Sequence, residues 1–141
     1  MDLCVPQGDA GVMKPSNHSA VYVESTETDV RELTRRLLVD LGGPTVQALA
    51  DSKDNTAPHR WAHPQGTGPG PVEEQRIRLG YRVWKTLENL GNREKAALWM
   101  LDANPGLDGE TPVAFIAQLH TREVVDVAED FVMEHLPATG S

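Results

Sequence analysis

The sequence predicts an all-α protein. Three observations carry that prediction. Apolar residues recur three and four positions apart in successive segments, which places them on one face of a helix. Pairs such as Gly42-Gly43, Gly91-Asn92 and Thr111-Pro112 fall where helices should stop and start. The stretch from Trp99 to Pro112 reads as a helix end, a folded-back loop and a new helix, and the other segments are organised around it.

Bulk properties bound the answer. A chain of 141 residues holds one domain with a real core, or two small helical lobes. It is 39% hydrophobic and 24% charged, a composition that folds. No apolar run approaches membrane-spanning length, so no membrane partner is expected. The N-terminus lacks the basic-then-apolar pattern of a secretion signal. Cys4 stands alone, which excludes a disulfide framework. A reducing cytoplasm is the simplest inference.

The net charge of −8 argues against a protein that simply coats nucleic acid. The charge is unevenly spread. Residues 1–43 hold seven acids and four bases, or −3. Residues 44–90 hold six bases and five acids, or +1. Residues 91–141 hold nine acids and three bases, or −6. The last third suits a basic partner protein; a solvated acidic surface accounts for it equally.

Taken in order, residues 1–25 lack periodicity and are expected to form a mobile extension, with Ala20-Val21-Tyr22-Val23 as a short extended piece. The first helix begins near Thr26, where Thr26 with Asp29 resembles a capping box. Val30, Leu33, Leu37, Leu38 and Leu41 share its apolar face. Arg31, Glu32, Arg35 and Arg36 lie elsewhere on its surface. Gly42-Gly43 ends it, and Pro44 opens the next helix.

A short helix then carries Val46, Leu49 and Ala50, and residues 51–54 form a polar turn. A second short helix runs from about Asn55 to His63. Pro58 is tolerated there because first-turn N–H groups have no helical partner. Trp61 is its anchor. Two short helices joined by a polar turn after a longer helix is the pattern of a helix-turn-helix. Thr56, His59, Arg60 and His63 would be exposed on the second helix, with Lys53 at its approach. His59 and His63 are one helical turn apart, but no Cys or third ligand accompanies them, so surface histidines are favoured over metal ligands.

Residues 63–71 form a Pro/Gly loop. It lacks the Lys-Ser/Thr of a phosphate-binding loop, and no strand precedes it. The longest helix follows, over residues 71–90. Its stripe comprises Val72, Leu79, Val83, Leu87 and Leu90, with Trp84 beside them and Ile77 and Gly80 nearby. Arg78, Arg82 and Lys85 form a basic row, read either as a solvated face or as phosphate contacts beside the recognition helix.

Gly91-Asn92 caps a helix over residues 93–101. Asn104-Pro105-Gly106 is a turn, because Asn and Gly tolerate positive φ while Pro fixes its own. Leu107 tucks back under the helix carrying Trp99. Asp108-Gly109 is a second turn, and Thr111-Pro112 reads as N-cap and first helical residue. Helices over residues 112–119 and 121–136 complete the chain. Val124, Val125, Val127, Ala128, Phe131 and Val132 give the last one a broad apolar surface, expected to bury against another subunit or partner. A small polar tail, residues 137–141, follows.

Trp99, then Asn104-Pro105, Leu107-Asp108-Gly109 and Thr111-Pro112 resemble the toxin-binding domain of the ParS/MbcA/Xre antitoxins. The following helix and the Glu123-Val124-Val125 opening of the last one also fit. The likeness covers roughly residues 83–141, and its elements recur in order at fitting spacing. The preceding short-helix pair resembles the degenerate Xre-like lobe of the same family, with Arg60-Trp61 closing the recognition helix. It departs in its turn, which lacks Gly and is lengthened by Ser52-Lys53-Asp54. That departure fits a re-aimed recognition helix, or one that no longer reads DNA.

The resemblance implies an extension (1–25), a helix-turn-helix-like lobe (26–82) and a toxin-binding lobe (83–141). It implies the antitoxin of a type II toxin–antitoxin pair, whose partner commonly has a RES domain and degrades NAD. Such an antitoxin binds its toxin stoichiometrically, covers the active site with its C-terminal segment, and represses its operon with the toxin. A homodimer, or a hetero-oligomer with the toxin, is expected. Operator contacts then fall to Lys53, Thr56, His59, Arg60, Arg78 and Arg82. A RES-type site must hold the phosphates of NAD and should be basic. Glu129, Asp130, Glu134 and the terminal carboxylate would complement it, with Phe131 and Val132 supplying contact area. No nucleophile with a base, metal cluster or phosphate loop is evident, so neither an enzyme nor a cofactor is expected. A stand-alone helix-turn-helix regulator with a dimerising C-terminal lobe is the alternative. A scaffold protein with a vestigial helix-turn-helix is a third.

Overall fold

Seven α-helices and two 3-10 turns make up residues 29–135, the part described by the computed structural model. In chain order they are α1 (Val30–Leu41), α2 (Gly43–Ala50), α3 (Ala57–Ala62) and α4 (Pro71–Leu87), which runs into a 3-10 turn (Glu88–Leu90). Then come α5 (Arg93–Leu101), a second 3-10 turn (Pro105–Leu107), α6 (Pro112–Ala117) and α7 (Thr121–His135). There is no strand among the described residues, so the all-α class holds. The expected N-terminal extension with Cys4 and the 20–23 piece, the Thr26 cap, and the 137–141 tail with its carboxylate lie outside the described residues. No described helix is long and apolar enough to cross a membrane.

Several of the helices start or stop at a local signal. Asp29 is the N-cap of α1, its Oδ1 accepting from the Arg31 N–H at 3.3 Å, so the acid is itself the cap. Gly42, at φ +90°, ends α1 and opens α2; only glycine adopts that backbone without strain. Gly43 therefore belongs to α2, and Pro44 lies in its first turn. Asn92 caps α5, its side chain accepting from Lys95 N–H at 3.0 Å. Thr111 caps α6 through Ala114 N–H at 3.1 Å.

α4 is the central helix. α1, α2, α6 and α7 all pack on it, so it is buried on more than one side. Ile77, Leu79, Tyr81, Val83, Trp84 and Leu87 are all in the core. The single stripe expected from periodicity is too narrow: it omits Tyr81, which is 2% exposed, and includes Val72, which is 45% exposed. Val72 sits in the first turn, ahead of the packed length. Tyr81 can be buried because its hydroxyl accepts from Arg36 at 2.8 Å, which satisfies the polar end of the ring. Gly80 is where α2 comes closest: a Cβ there would lie 3.0 Å from a Leu49 methyl.

The core is one cluster that runs from Leu33 to Val132. Two polar bridges cross it. The Arg76 Nε donates to the Ala117 carbonyl at 2.7 Å and an Nη to the Ala50 carbonyl at 3.2 Å. Ala50 and Ala117 are the last residues of α2 and α6, so one cation meets the negative ends of two helices. The second bridge is Asp40, which accepts from the Trp84 indole N–H at 3.0 Å and faces Arg93 at 3.6 Å.

The expectation that α7 leaves an apolar excess for another subunit is corrected for four of its six residues, while Val127 and Phe131 are only partly buried. Val124, Val125, Ala128 and Val132 are buried inside the chain, because α4 and α6 offer α7 two packing partners. On α7 only Met133, at 72%, remains a large exposed hydrophobe.

The double cap at Arg76 has a measurable weight. Arg76→Met keeps the stem but strands two carbonyls, and should cost roughly 1.5–3 kcal/mol, lowering the melting temperature by several degrees. Arg76→Lys keeps the charge but not the fork and should fall between. A methionine variant that melts like wild type would show the bridge to be incidental.

Candidate functional site

The loop after α5 is built around Asn104. Its N–H donates to the Glu110 carbonyl at 3.0 Å, and its own carbonyl accepts from Leu107 N–H and Gly109 N–H, both at 2.9 Å. Its Oδ1 accepts from Gly106 N–H at 2.8 Å. One residue thus closes both ends of the loop. The positive φ angles are at Asp108 (+57°) and Gly109 (+82°), not at Asn104, which has φ −124°. Asn104 works through its side chain, as an Asx cap. A Cβ on Gly106 would be tight against Asn104 Oδ1, at 3.2 Å, and in ordinary contact with a Val127 methyl, at 3.4 Å. Leu107 is 1% exposed, so it is buried as expected, and the 3-10 turn that carries it packs on α7. Pro112 is also buried.

Trp99, on α5 just before this loop, is 7% exposed. Its ring stacks with Phe131 of α7 at 5.6 Å between centroids and 29° between planes. Phe131 meets His135 at 4.2 Å on the same helix. Between the end of α5, the loop and α7 there is an open groove of about 630 Å³. Leu98, Trp99, Pro105, Val127 and Phe131 supply its apolar lining. Asp102, Asp130 and Glu134 supply carboxylates, and Lys95 an ammonium.

Of the five α7 residues expected to face a partner, Asp130, Phe131 and Glu134 line the groove. Val132 does not, being 6% exposed in the core, and Glu129 is half-buried outside the lining. The helical repeat is the reason. Residues 127, 130, 131 and 134 share one face, while 124, 125, 128 and 132 turn inward. Sequence reasoning missed Leu98, Lys95 and Asp102, while Val127 belonged to the apolar surface expected to meet a partner. Leu98 was legible in principle: it interrupts the inward series Ala96, Trp99, Met100, and is 60% exposed.

The proposed recognition helix is shorter than expected, at Ala57–Ala62. Lys53, Thr56, His59, Arg60 and His63 are all exposed, and Trp61 anchors the helix at 6% exposure. Thr56 and Arg60 are engaged with Asp54. Its carboxylate accepts from the Thr56 N–H at 2.9 Å, the Thr56 hydroxyl at 2.8 Å and Arg60 Nη1 at 2.8 Å. These bonds, the Arg60 one foremost, hold the Asp54 carboxyl down at about 2. The same bonds hold Asn55 and Thr56 in a turn, so the helix begins two residues later than expected.

The two histidines are also occupied locally. The His59 ring abuts Gly43, where a Cβ would lie 3.1 Å from Nε2. His63 Nδ1 accepts from Gln65 N–H at 3.1 Å, and its carbonyl takes the Arg31 guanidinium. Among the described residues no three His, Cys, Asp or Glu gather as a metal site. In the basic row, Arg78 pairs with Glu74 at 2.9 Å and Lys85 with Glu88 at 2.7 Å, while Arg82 is half-buried. The groove and this lobe are the two places where sequence-chosen residues gather. Comparison of the chain with protein families, curated proteins and solved structures gives no match.

Two outcomes test this geometry. Trp99→Ala removes a buried aromatic and should cost about 3–5 kcal/mol; a thermal melt equal to wild type would dismiss Trp99 from the core. The Asp54 carboxyl, followed by NMR, should titrate near pH 2 and move up towards the ordinary aspartate range in Arg60→Ala. Because its folded value is depressed, its contribution to stability is present above the unfolded value and fades as pH falls towards 2. Titration of Asp54 near pH 4 in the unaltered protein would refute the Arg60 pairing.

Proposed function

We propose that the protein is the antitoxin of a type II toxin–antitoxin pair and neutralises a RES-type, NAD-degrading toxin by stoichiometric binding. The observation that carries this reading is the convergence at the groove. Trp99, Asn104 and Pro105 of the family-like loop meet Asp130, Phe131 and Glu134 of the last helix. Residues of the family-like structural motif and residues expected to face the toxin thus line one concavity.

The inhibition needs no chemistry from this chain. A toxin site that holds the phosphates of NAD is basic, and the acidic C-terminal third meets it with complementary charge, which steers encounter and excludes wrong partners. Leu98, Leu101 and Met133, at 60%, 52% and 72% exposed, supply apolar contact area. Operator binding by the α2–α3 pair belongs to the same proposal. Lys53 has no partner among the described residues, whereas Arg60 would have to share or leave Asp54 to reach a phosphate. Operator affinity of the isolated chain should therefore be low, and rise when the toxin gathers several copies.

Asp130 and Glu134 are exposed, so Asp130→Lys with Glu134→Lys should leave the melt unchanged. Coexpressed with the product of the adjoining gene, the unaltered chain should copurify and block NAD loss. The reversed chain should need at least about tenfold more protein to do so, a change of roughly 1.4 kcal/mol in binding. An adjoining gene product that neither copurifies nor consumes NAD would reject the antitoxin reading. Operator retardation by the chain alone would then favour a stand-alone regulator.

A further inference from the structure

We propose that the groove receives an arginine side chain of the partner protein, carried in a segment with apolar residues on either side of it. This rests on the reading of the groove as a protein-binding site, and it names the chemistry of what enters.

Three features of the groove select that occupant. The first is unspent charge. Among the described residues, the side chains of Asp102, Asp130 and Glu134 have no ion-pair or hydrogen-bond partner. Elsewhere Glu32, Asp54, Glu74 and Glu88 each hold a cation at hydrogen-bond distance. Three carboxylates around one concavity repel one another, and Lys95 is the single cation in the lining. An entering cation relieves that repulsion.

The second feature is the aromatic wall. Phe131 lines the groove half-buried, with the rings of Trp99 and His135 against it. A guanidinium is planar and weakly hydrated, stacks on an aromatic face, and forks two N–H groups towards carboxylates. An ammonium is compact and strongly hydrated, and gains less beside Phe131 and Val127.

The third is size. A groove of about 630 Å³ exceeds one guanidinium and lies in the range of pockets that enclose several groups. Exposed Leu98 at its edge provides the surface for apolar neighbours of the arginine. A second copy of this chain is disfavoured as the occupant, because each copy brings a net charge of −8.

The test uses the full chain and three small peptides: acetyl-Leu-Arg-Leu-amide, the same peptide with lysine, and the same peptide with citrulline. Citrulline keeps the shape of arginine and removes its charge. The readout is the indole N–H resonance of Trp99, assigned by its loss in Trp99→Phe. The arginine peptide should move that resonance in a saturable, salt-sensitive way. The citrulline peptide should bind about tenfold more weakly, the order expected for losing one stacked, charge-assisted contact, and the lysine peptide should fall between. Asp130→Asn with Glu134→Gln should weaken the arginine peptide by a similar factor without changing the melt.

Equal binding of the citrulline peptide would overturn the proposal, leaving a merely apolar groove. So would an unmoved Trp99 resonance. A resonance that shifts on dilution of the protein alone would also overturn it, making a second copy the occupant. The antitoxin reading fails separately. If the chain silences its toxin but ignores the arginine peptide, only the arginine is lost. If it binds the peptide but no adjoining gene product, the groove chemistry stands and the antitoxin reading falls.

Discussion

One guanidinium ties the two halves of the described fold together. Arg76 lies on the central helix and donates to the terminal carbonyls of α2 and α6. Those helices are eight and six residues long, too short to persist alone in water. They exist because their apolar faces pack on α4 and because Arg76 satisfies their last carbonyls. α2 leads into the polar turn and α3, and α6 leads into α7. The placement of the short-helix pair and of the groove's far wall therefore traces back to one side chain, 18% exposed.

The cost of burying such a cation is offset by geometry. An isolated charge in a protein interior is expensive. Here the carbonyls are already gathered at helix ends, where the backbone dipoles favour a cation. Asp40 is paired through side chains instead, taking the Trp84 indole N–H and facing Arg93. Trp84, at 0% exposed, thereby has its one polar atom satisfied. The core is apolar in bulk, and its register is set by a few polar contacts with defined directions.

What the sequence revealed was local. The bounds of α5 and the start of α6 were readable because Asn92, Thr111 and Pro112 act on their own neighbours. Leu107 was readable because an apolar residue between two turns has little alternative to burial. What it hid was tertiary. Tyr81 and Val72 exchanged their expected places because burial along α4 depends on which helices lie against it. Asp54 shifted the start of α3 through its own hydrogen bonds to Thr56 and Arg60. Val132 was assigned to the surface because periodicity alone does not tell which side of an apolar helix meets its neighbours. Asp130, Phe131 and Glu134 were found, yet the groove they share with Trp99 needed the fold. Leu119, at φ +59°, had no signal at all, because nothing in a leucine announces a left-handed backbone.

The folded-back loop also bears on how this protein ages. Asparagine side chains are lost over time when the following backbone nitrogen attacks the amide and closes a succinimide ring. Asn104 is followed by Pro105, whose nitrogen carries no hydrogen, so that route is closed at the residue that holds the loop together. Among aspartates, Asp-Gly is ordinarily the pair most prone to the same cyclisation. Here the Gly109 N–H is engaged by the Asn104 carbonyl at 2.9 Å, and Asp108 is fixed in the left-handed region. The chemically durable residue thus restrains the fragile one, and isoaspartate at position 108, sought by peptide mapping after prolonged incubation, should accumulate only once the loop has opened.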